Sequence, residues 1–304
     1  MSILSRPELH NEEAAYAYVE ARVWPHGATC PKCGERERVS KMGGKSTRIG
    51  AYKCYKCRKP FTVKVGTLFE SSHVPMNVWL QAIYLMCSSK KGFSSNQLHR
   101  ALGVTLKTAW FMSNRIREAM RTDGPAGFGS DGGVVEVDET VIGIQYKKSK
   151  TARGGAHKNK VLSLVDRSTG RAKSIVVKDL RKSTLIPILR ENIAKEATVY
   201  TDEASWYNTL SKDFAAHDFV VHSAGEYGRG GVHTNTIEGD FSTFKRGMRG
   251  IYQHCNKKHL HRYAGEFEFR YNNRIANGSD DRTRADTALT GIVGKRLTYE
   301  TSGA

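Results

Sequence analysis

Residues 134–143 read VVEVDETVIG, a run rich in β-branched side chains that predicts a buried strand. Two similar runs follow, KVLSLVDR at 160–167 and AKSIVVK at 172–178. A helical run, STLIPILRENIAKE at 183–196, then precedes a fourth strand-like segment, TVYTDEA at 198–204. The sequence therefore predicts an α/β domain with a mixed sheet.

Three strands, a helix and a fourth strand follow one another in the order of an RNase H-like domain. Asp138 ends VVEVD and Asp202 ends TVYTD, so both acids stand where predicted strands finish. Ligand-binding groups in open α/β sheets commonly lie at such strand ends. Because Mg²⁺ prefers carboxylate oxygens, we predict that this pair contributes to a magnesium site for phosphodiester chemistry.

A third acid, Glu238, lies in TIEGDFSTFKRG at 236–247, where Ile237, Phe241 and Phe244 recur at helical spacing. Lys245 follows Glu238 by seven positions, about two helical turns, and Arg246 comes next. The carboxylate would bind metal while Lys245 and Arg246 contact DNA phosphates.

Each acid also has a structural interpretation. Asp138 and Asp202 could cap turns, and Asn235-x-x-Glu238 resembles a capping box. Neighbouring carboxylates could replace the chosen ones as ligands: Glu136, Glu139, Glu203 and Asp240.

Four cysteines form two close pairs, in CPKCG at 30–34 and YKCYKC at 52–57. Twenty residues separate the pairs, which is at the upper edge of the usual zinc spacing, and the pattern predicts a zinc ribbon with four thiolate ligands, Cys30, Cys33, Cys54 and Cys57. The alternatives are a redox pair or unrelated buried cysteines. Cys87 and Cys255 are interpreted as ordinary small apolar residues.

Residues 94–120, SSNQLHRALGVTLKTAWFMSNRIREAM, predict a helix-turn-helix. Ser94 or Ser95 would cap the first helix and Gly103 would permit the turn. From about residue 106 the second helix would enter the major groove. Its predicted DNA-facing residues are Lys107, Ser113, Asn114 and Arg117. The alternative is a helical hairpin that only packs the protein together.

The net charge of +18, from 48 Lys and Arg against 30 Asp and Glu, favours a polyanionic partner, nucleic acid first. The segment 147–160, KKSKTARGGAHKNK, could bind phosphates through Lys158 and its neighbours, or be merely a solvated basic loop. The apolar stretch at 79–87 is too short to span a membrane, and the N-terminus lacks a secretory apolar region, so we expect a cytoplasmic protein.

These segments predict an α/β multidomain protein. Residues 11–23 form a helix, and the Gly- and Pro-rich stretch at 122–133 marks a boundary. The predicted divisions are an N-terminal helix and zinc ribbon (1–75), a helix-turn-helix region (76–122), an RNase H-like catalytic domain (130–290) and a C-terminal tail (291–304).

Several motifs together resemble a known family. The thirty-five residues between Asp202 and Glu238, with Lys245 beyond, resemble the DDE signature of transposases and retroviral integrases. From about residue 12 to 275, the chain is similar to bacterial insertion-sequence transposases of the ISXO-like group. The similarity lies in CPKCG, YKCYKC, FTVKVGTLFESSHVP, LGVTLKTAWFMSNRIREAM, VEVDETVIG, HTNTIEG, FKRGMRGIY and FEFRYNNR.

This resemblance implies that Asp138, Asp202 and Glu238 hold two Mg²⁺ or Mn²⁺ ions, with a structural Zn²⁺ in the ribbon. It implies binding to terminal inverted repeats and target DNA, a homo-oligomer, and a place with the nucleoid in a bacterial cytoplasm. Ile144 and Phe241 depart from the group, which often has Gly and Trp there. Some members carry Asn or His at the third metal-ligand position, whereas this chain has Glu238.

Three functions share these features. The first is a transposase that cleaves and joins DNA, and the second is an RNase H-like nuclease or resolvase that cleaves without joining. The third is a nonenzymatic zinc-ribbon regulator that keeps the catalytic domain as a scaffold. Joined products would identify the first function.

Overall fold

The computed structural model describes residues 3–121, 127–144 and 157–298. The chain divides into two compact units, one formed by residues 1–121 with 279–304 and the other by residues 122–278. Much of the predicted basic segment, residues 147–156, lies outside the described ranges, but Lys158 lies within them.

The first unit begins with helix α1 (Glu12–Val23). This helix was predicted at 11–23, and the Asn11 side chain caps it by accepting from the Ala14 amide at 2.9 Å. A small antiparallel sheet follows, in the order β1 (Val39–Lys41), β2 (Tyr52–Cys54) and β3 (Pro60–Phe61). The expected hairpins of a zinc ribbon are present.

Three helices come next: α2 (Met76–Ser88), α3 (Ser95–Leu102) and α4 (Leu106–Met120). Ser94 forms a capping box at the start of α3, and Gly103 ends that helix with φ of 66°, a left-handed conformation that glycine adopts without strain. The helix-turn-helix connection is thus as predicted. No helix in the described ranges is long and apolar enough to cross a membrane.

Helix α8 (Asp281–Thr290) belongs to the first unit. Leu289 is buried, and the chain beyond it pairs with an earlier segment, where the Leu68 amide donates to the Ile292 carbonyl at 3.2 Å. This corrects two predicted boundaries. The unit that contains Asp138 ends at residue 278 rather than 290, and residues 291–295 take part in the fold instead of forming a free tail.

The second unit is built on a five-stranded sheet in the order β6-β5-β4-β7-β8, whose β4, β5 and β6 are antiparallel and whose β4, β7 and β8 are parallel. This is the RNase H-like arrangement, and β8 is a strand that the sequence did not predict. The strands are β4 (Val134–Ile142), β5 (Asn159–Asp166), β6 (Arg171–Val177), β7 (Thr198–Thr201) and β8 (Ala216–Phe219). The helices are α5 (Lys182–Asn192), α6 (Asn235–Gly247) and α7 (Leu260–Asn272).

Alternation along β4 separates two apolar layers. Val135 and Val137 pack with Leu185 and Leu189 of α5 on one face. On the other face, Ile237 and Phe241 of α6 belong to a buried cluster with Val165 and Ala172. Because α6 buries the predicted Ile237, Phe241 and Phe244 stripe, its N-terminal turn is fixed beside Glu136 of β4.

Candidate metal centres

The parallel pairing of β4 and β7 brings two predicted ligands together. Glu136 is paired with Tyr200, and Asp138 and Asp202 each stand two residues farther along their own strands. Equal rise along parallel strands therefore places the two carboxylates side by side at the end of the ladder. This is the adjacency expected from the sequence.

Glu139 joins this pair. Carboxylate oxygens of Asp138, Glu139 and Asp202 all lie within 4.8 Å of one another. The Tyr207 hydroxyl donates to Glu139, while the Asp138 carboxylate accepts from the Glu139 amide at 2.6 Å. Three hard oxygen ligands thus converge at one point, which suits a divalent cation of the Mg²⁺ or Mn²⁺ type.

The electrostatics of this cluster favour a bound cation. Burial raises the pKa of Asp138 to about 8, with further contributions from Glu139 and Asp202. Burial also raises the pKa of Glu139 to about 7 and that of Asp202 above its usual range. Crowded carboxylates hold their protons because like charges repel in a desolvated site. A divalent ion would remove this penalty, so the donor set fits a metal.

Glu238 stands in the first turn of α6 but is not part of the three-carboxylate cluster. Its carboxylate accepts from the Thr234 hydroxyl at 3.1 Å and lies 3.5 Å from Nε2 of His222. It is close enough to contribute to the raised pKa of Asp138. The side chain is 47% exposed, so it faces solvent rather than the core.

Two of the other neighbouring acids have structural partners, and the third is buried next to another acid. Glu136 is fully buried and ion-paired with Arg167 at 2.6 Å. Glu203 accepts from the backbone amides of residues 222 and 223. Asp240 is buried beside Glu268, and burial raises its pKa to about 7. Of the acids considered as replacements, only Glu139 enters the cluster.

The four predicted zinc ligands form a second cluster, in the first unit. The Sγ atoms of Cys30 and Cys57 are 3.7 Å apart, and those of Cys33 and Cys54 are 3.6 Å apart. All four sulfurs lie within 4.8 Å of one another. The described residues thus present the thiolate set of a structural zinc site.

The pKa values of Cys33 and Cys54 are shifted in opposite directions. A hydrogen bond from the backbone amide of Cys57 helps to lower the pKa of Cys54 to about 7. A backbone hydrogen bond from Glu35 lowers the pKa of Cys33, but desolvation and the three neighbouring thiols outweigh it and raise the value to about 12. Because zinc binds deprotonated sulfur, a bound ion would itself stabilise the thiolate form of these cysteines.

The structure corrects part of the predicted DNA-binding surface. Ser113, Asn114 and Arg117 are each at most 1% exposed. Arg117 donates to the Ser113 hydroxyl at 3.1 Å, and Asn114 donates to the Trp110 carbonyl at 2.9 Å. These side chains hold the helical core together and are not available to a DNA groove.

The remaining predicted DNA contacts lie at least partly on the surface. Lys107 is exposed in the first turn of α4, and Arg246 is exposed on α6. Lys245 is half-buried, with its ammonium 5.8 Å from the Phe241 ring centroid. Lys158 is also half-buried, just before β5. Their contact with DNA stays a prediction.

Adding Mg²⁺ or Mn²⁺ should raise the melting temperature of the second unit. Binding to the folded state alone stabilises it by about 2.7 kcal/mol at a hundredfold excess over Kd. Asp202→Asn should show a clearly smaller rise, because one ligand and one repelling charge are gone. Calorimetry with and without metal measures both effects. Equal metal responses in the two proteins would contradict the assigned ligands.

The two units, with their four-cysteine and three-carboxylate clusters, define the class of protein. Proteins of this class join a zinc ribbon and a helical region to an RNase H-like domain that carries convergent carboxylates. Comparison with known sequences agrees. The family model for the ISXO2-like transposase domain matches residues 131–272, and that for the transposase zinc-ribbon domain matches residues 10–60. The chain belongs to the ISXO2-like transposase family.

Two similar proteins illustrate this membership. An uncharacterized protein in transposable element ISH50 of Halobacterium salinarum is 31% identical over 266 residues, covering 81% of this chain and 86% of that protein. An uncharacterized transposase-like protein of Haemophilus influenzae is 29% identical over 100 residues, covering 33% and 80% respectively. The first of these spans most of both chains.

Two solved structures are also similar to parts of the chain. The HTLV-2 integrase catalytic core domain in complex with magnesium matches with a TM-score of 0.26 and 12% identity, covering 44% of this chain and 82% of that one. The simian T-cell lymphotropic virus intasome in complex with PP2A regulatory subunit B56 gamma matches with a TM-score of 0.29 and 15% identity, covering 56% and 67%. At such scores the fold assignment rests on the strand order instead.

Proposed function

We propose that this transposase binds the ends of its insertion sequence and catalyses metal-dependent DNA cleavage followed by strand transfer. The observation that carries the proposal is the convergence of Asp138, Glu139 and Asp202, with Glu238 at the start of the neighbouring helix. Carboxylates crowded in this way match the needs of phosphodiester chemistry with two divalent ions.

Asp138, Asp202 and Glu238 would hold two Mg²⁺ or Mn²⁺ ions, and Glu139 is an additional candidate ligand. When bound, such ions supply Lewis acidity and orient the attacking and leaving oxygens. The Tyr207 hydroxyl keeps Glu139 turned toward the cluster. No side chain needs to form a covalent bond to DNA in this scheme, unlike the nucleophile of a Tyr or Ser recombinase.

The DNA would be held by cations around this site. Lys245 and Arg246 lie two turns beyond Glu238 on α6, within reach of a phosphate backbone. The zinc ribbon and the first turn of α4, where Lys107 is exposed, would contact the terminal inverted repeats. Residues 112–117 of α4 are buried, so any groove contact would come from the N-terminal part of the helix, where Trp110 is also exposed.

Joining two element ends to target DNA requires both ends in one complex. We therefore propose that the chain acts as a homo-oligomer. We also propose that it works on DNA of the nucleoid in a bacterial cytoplasm. The partner DNA is the terminal inverted repeats and the target. The protein's preference for the end sequences would come from contacts with base edges, and its salt-dependent affinity for DNA would come from Lys and Arg contacts with phosphates.

The test compares wild type with Glu238→Gln on DNA carrying the element's own ends, a target plasmid and Mg²⁺. Wild type should yield nicked and joined products, and the variant should lose at least about 100-fold in rate, since a misplaced cation forfeits several kcal/mol. Glu191→Gln, which alters an exposed carboxylate on α5, is the matched control and should match wild type.

The other two functions give different results in this assay. A nuclease or resolvase would yield cleaved DNA without joined product. A nonenzymatic regulator would bind the ends and cleave nothing with any divalent metal. Either result in the wild-type protein would overturn the proposed strand transfer.

A further inference from the structure

The guanidinium of Arg167, just after β5, contacts several elements at once. Nε donates to the carboxylate of Glu136 at 2.6 Å, and Nη1 donates to the Gly231 carbonyl at 2.8 Å. Nη2 donates to the His233 carbonyl at 2.8 Å and lies 2.7 Å from Nδ1 of the same histidine. One planar group thus links β4 with the segment that leads into α6.

Glu136 continues this connection into the helix itself. Its carboxylate accepts from the Thr236 hydroxyl at 2.7 Å and from the Ile237 amide at 2.9 Å. A carboxylate at a helix N-terminus satisfies unpaired amides and complements the helix dipole. The next residue is Glu238, so the anchored turn is the one that carries the third predicted ligand.

The same guanidinium also reaches the strand of the second ligand. It lies 5.0 Å from the centroid of the Tyr200 ring on β7. Tyr200 stands two residues before Asp202, and its ladder partner Glu136 stands two residues before Asp138. The backbone segments that carry all three acids therefore meet at Arg167.

We propose that Arg167, acting through Glu136, is a positioning residue that fixes Glu238 relative to Asp138 and Asp202. This inference rests on the proposed function, because it assigns Glu238 to the metal site. The start of α6 depends on this contact, since the residue preceding the helix provides no side-chain cap. Residues that do not bind the metal themselves can still set its affinity, because they fix the orientation of the residues that do.

A contribution to stability alone explains this arrangement poorly. Glu136 is fully buried, and a buried ion pair is often no more stabilising than apolar side chains of similar volume. The pair instead fixes the orientation of the groups around it, because the guanidinium presents its donors in a rigid, planar arrangement. The consequence is a fixed distance between the first turn of α6 and the segments of β4 and β7 that carry Asp138 and Asp202.

Arg167→Lys is the informative variant. Lysine keeps a positive charge beside Glu136, so no buried carboxylate loses its partner, but it lacks the fork that reaches Gly231 and His233. The matched control is Arg190→Lys on α5, which breaks a similar two-nitrogen contact to Asp213 on the surface. Two measurements apply: hydrogen exchange of the peptide 233–240, and the Mn²⁺ concentration for half-maximal cleavage of end DNA.

We expect Arg167→Lys to speed amide exchange at the start of α6 while β4 stays protected. The Mn²⁺ concentration for half-maximal cleavage should rise about 10- to 100-fold, as for the loss of other groups that orient metal ligands. The KM for DNA should stay unchanged, and excess Mn²⁺ should restore part of the rate. Arg190→Lys should match wild type in each measurement.

Wild-type values for exchange and for Mn²⁺ dependence in Arg167→Lys would overturn the inference. Faster exchange across the whole unit would mean that the variant is generally destabilised, and the double variant Glu136→Gln with Arg167→Met, which leaves no buried charge in this pair, then decides. We expect its Mn²⁺ requirement to rise as well, and a wild-type requirement in the double variant would overturn the inference. Wild type that fails to cleave with any metal overturns the proposed function instead, and local exchange then still tests the anchoring.

Discussion

Asp138→Asn is expected to lower metal-dependent cleavage by about 10³-fold or more. The reason is that a bound cation contributes several kcal/mol of charge stabilisation, and each factor of ten in rate corresponds to about 1.36 kcal/mol. Carboxylate oxygens of Asp138, Glu139 and Asp202 lie within 4.8 Å of one another, so an amide in place of Asp138 weakens the whole ligand set. Rates of strand nicking and joining with Mg²⁺ and with Mn²⁺ measure the effect.

The same substitution should not unfold the protein. In the metal-free state, an amide removes one of three crowded carboxylates, so the melting temperature should equal or exceed that of wild type. Loss of activity with stability retained is the trade-off expected where a functional site is electrostatically strained. Asp131→Asn is the matched control, because this exposed residue has a φ of 59° that asparagine also tolerates. Cleavage by Asp138→Asn at the wild-type rate would refute the assignment.

Cys54→Ser is expected to remove zinc and unfold the ribbon. Binding of zinc to a four-thiolate site contributes about 10–16 kcal/mol, and a whole domain is stable by only about 5–15 kcal/mol. The sheet of β1, β2 and β3 has a very small core, formed by Cys30, Cys54 and Phe61 with partly buried neighbours. Without the metal, little holds these short strands together.

Zinc content by mass spectrometry and limited proteolysis would follow this loss. New cleavage should appear between about residues 24 and 65, and binding of end DNA should weaken, while the second unit keeps its own melting transition. Cys255→Ser is the control, since this cysteine lies outside the cluster and in the other unit. Full zinc occupancy and an intact ribbon in Cys54→Ser would show that the cysteines serve another purpose.

Local patterns were sufficient to predict much of this structure. Two-residue alternation and β-branched runs predicted β4 to β7, and the spacing of two Cys pairs predicted the sulfur cluster. Gly103 predicted the turn between α3 and α4. These features depend on residues close in sequence, whose periods and turn chemistry are visible without tertiary contacts.

The errors arise where tertiary packing decides. Ser113, Asn114 and Arg117 were predicted to face DNA because the second helix of a helix-turn-helix commonly enters the major groove. Most of α4 is instead buried. Asn114 and Arg117 bond within the helix, and Arg115 donates to backbone carbonyls of an earlier segment. Helical periodicity does not show whether other elements cover both faces of a helix. Helix α8 was not predicted for a similar reason, because a contact that holds it in the first unit is with a residue almost 200 positions earlier.

The candidate site was only partly visible for a related reason. Asp138 and Asp202 were chosen because both were expected at strand ends, which holds for Asp202 after β7, whereas Asp138 lies in the middle of β4. Glu139 was only one of four alternatives. Its place in the cluster depends on Tyr207, far away in the chain. Arg167 had no local signal, since its partners come from three separate elements.

Helix α8 also affects the order in which the two units can fold during synthesis. Its Arg284 donates to the Cys87 carbonyl at 2.8 Å, and Ile292 pairs with Leu68, so the first unit is closed by segments that are synthesised after the whole of the second unit. Domains generally fold as units as they emerge. The second unit is complete at residue 278, whereas the unit with the ribbon must wait for residues beyond it. A nascent chain that stops before α8 would carry a finished carboxylate site and an unfinished helical unit.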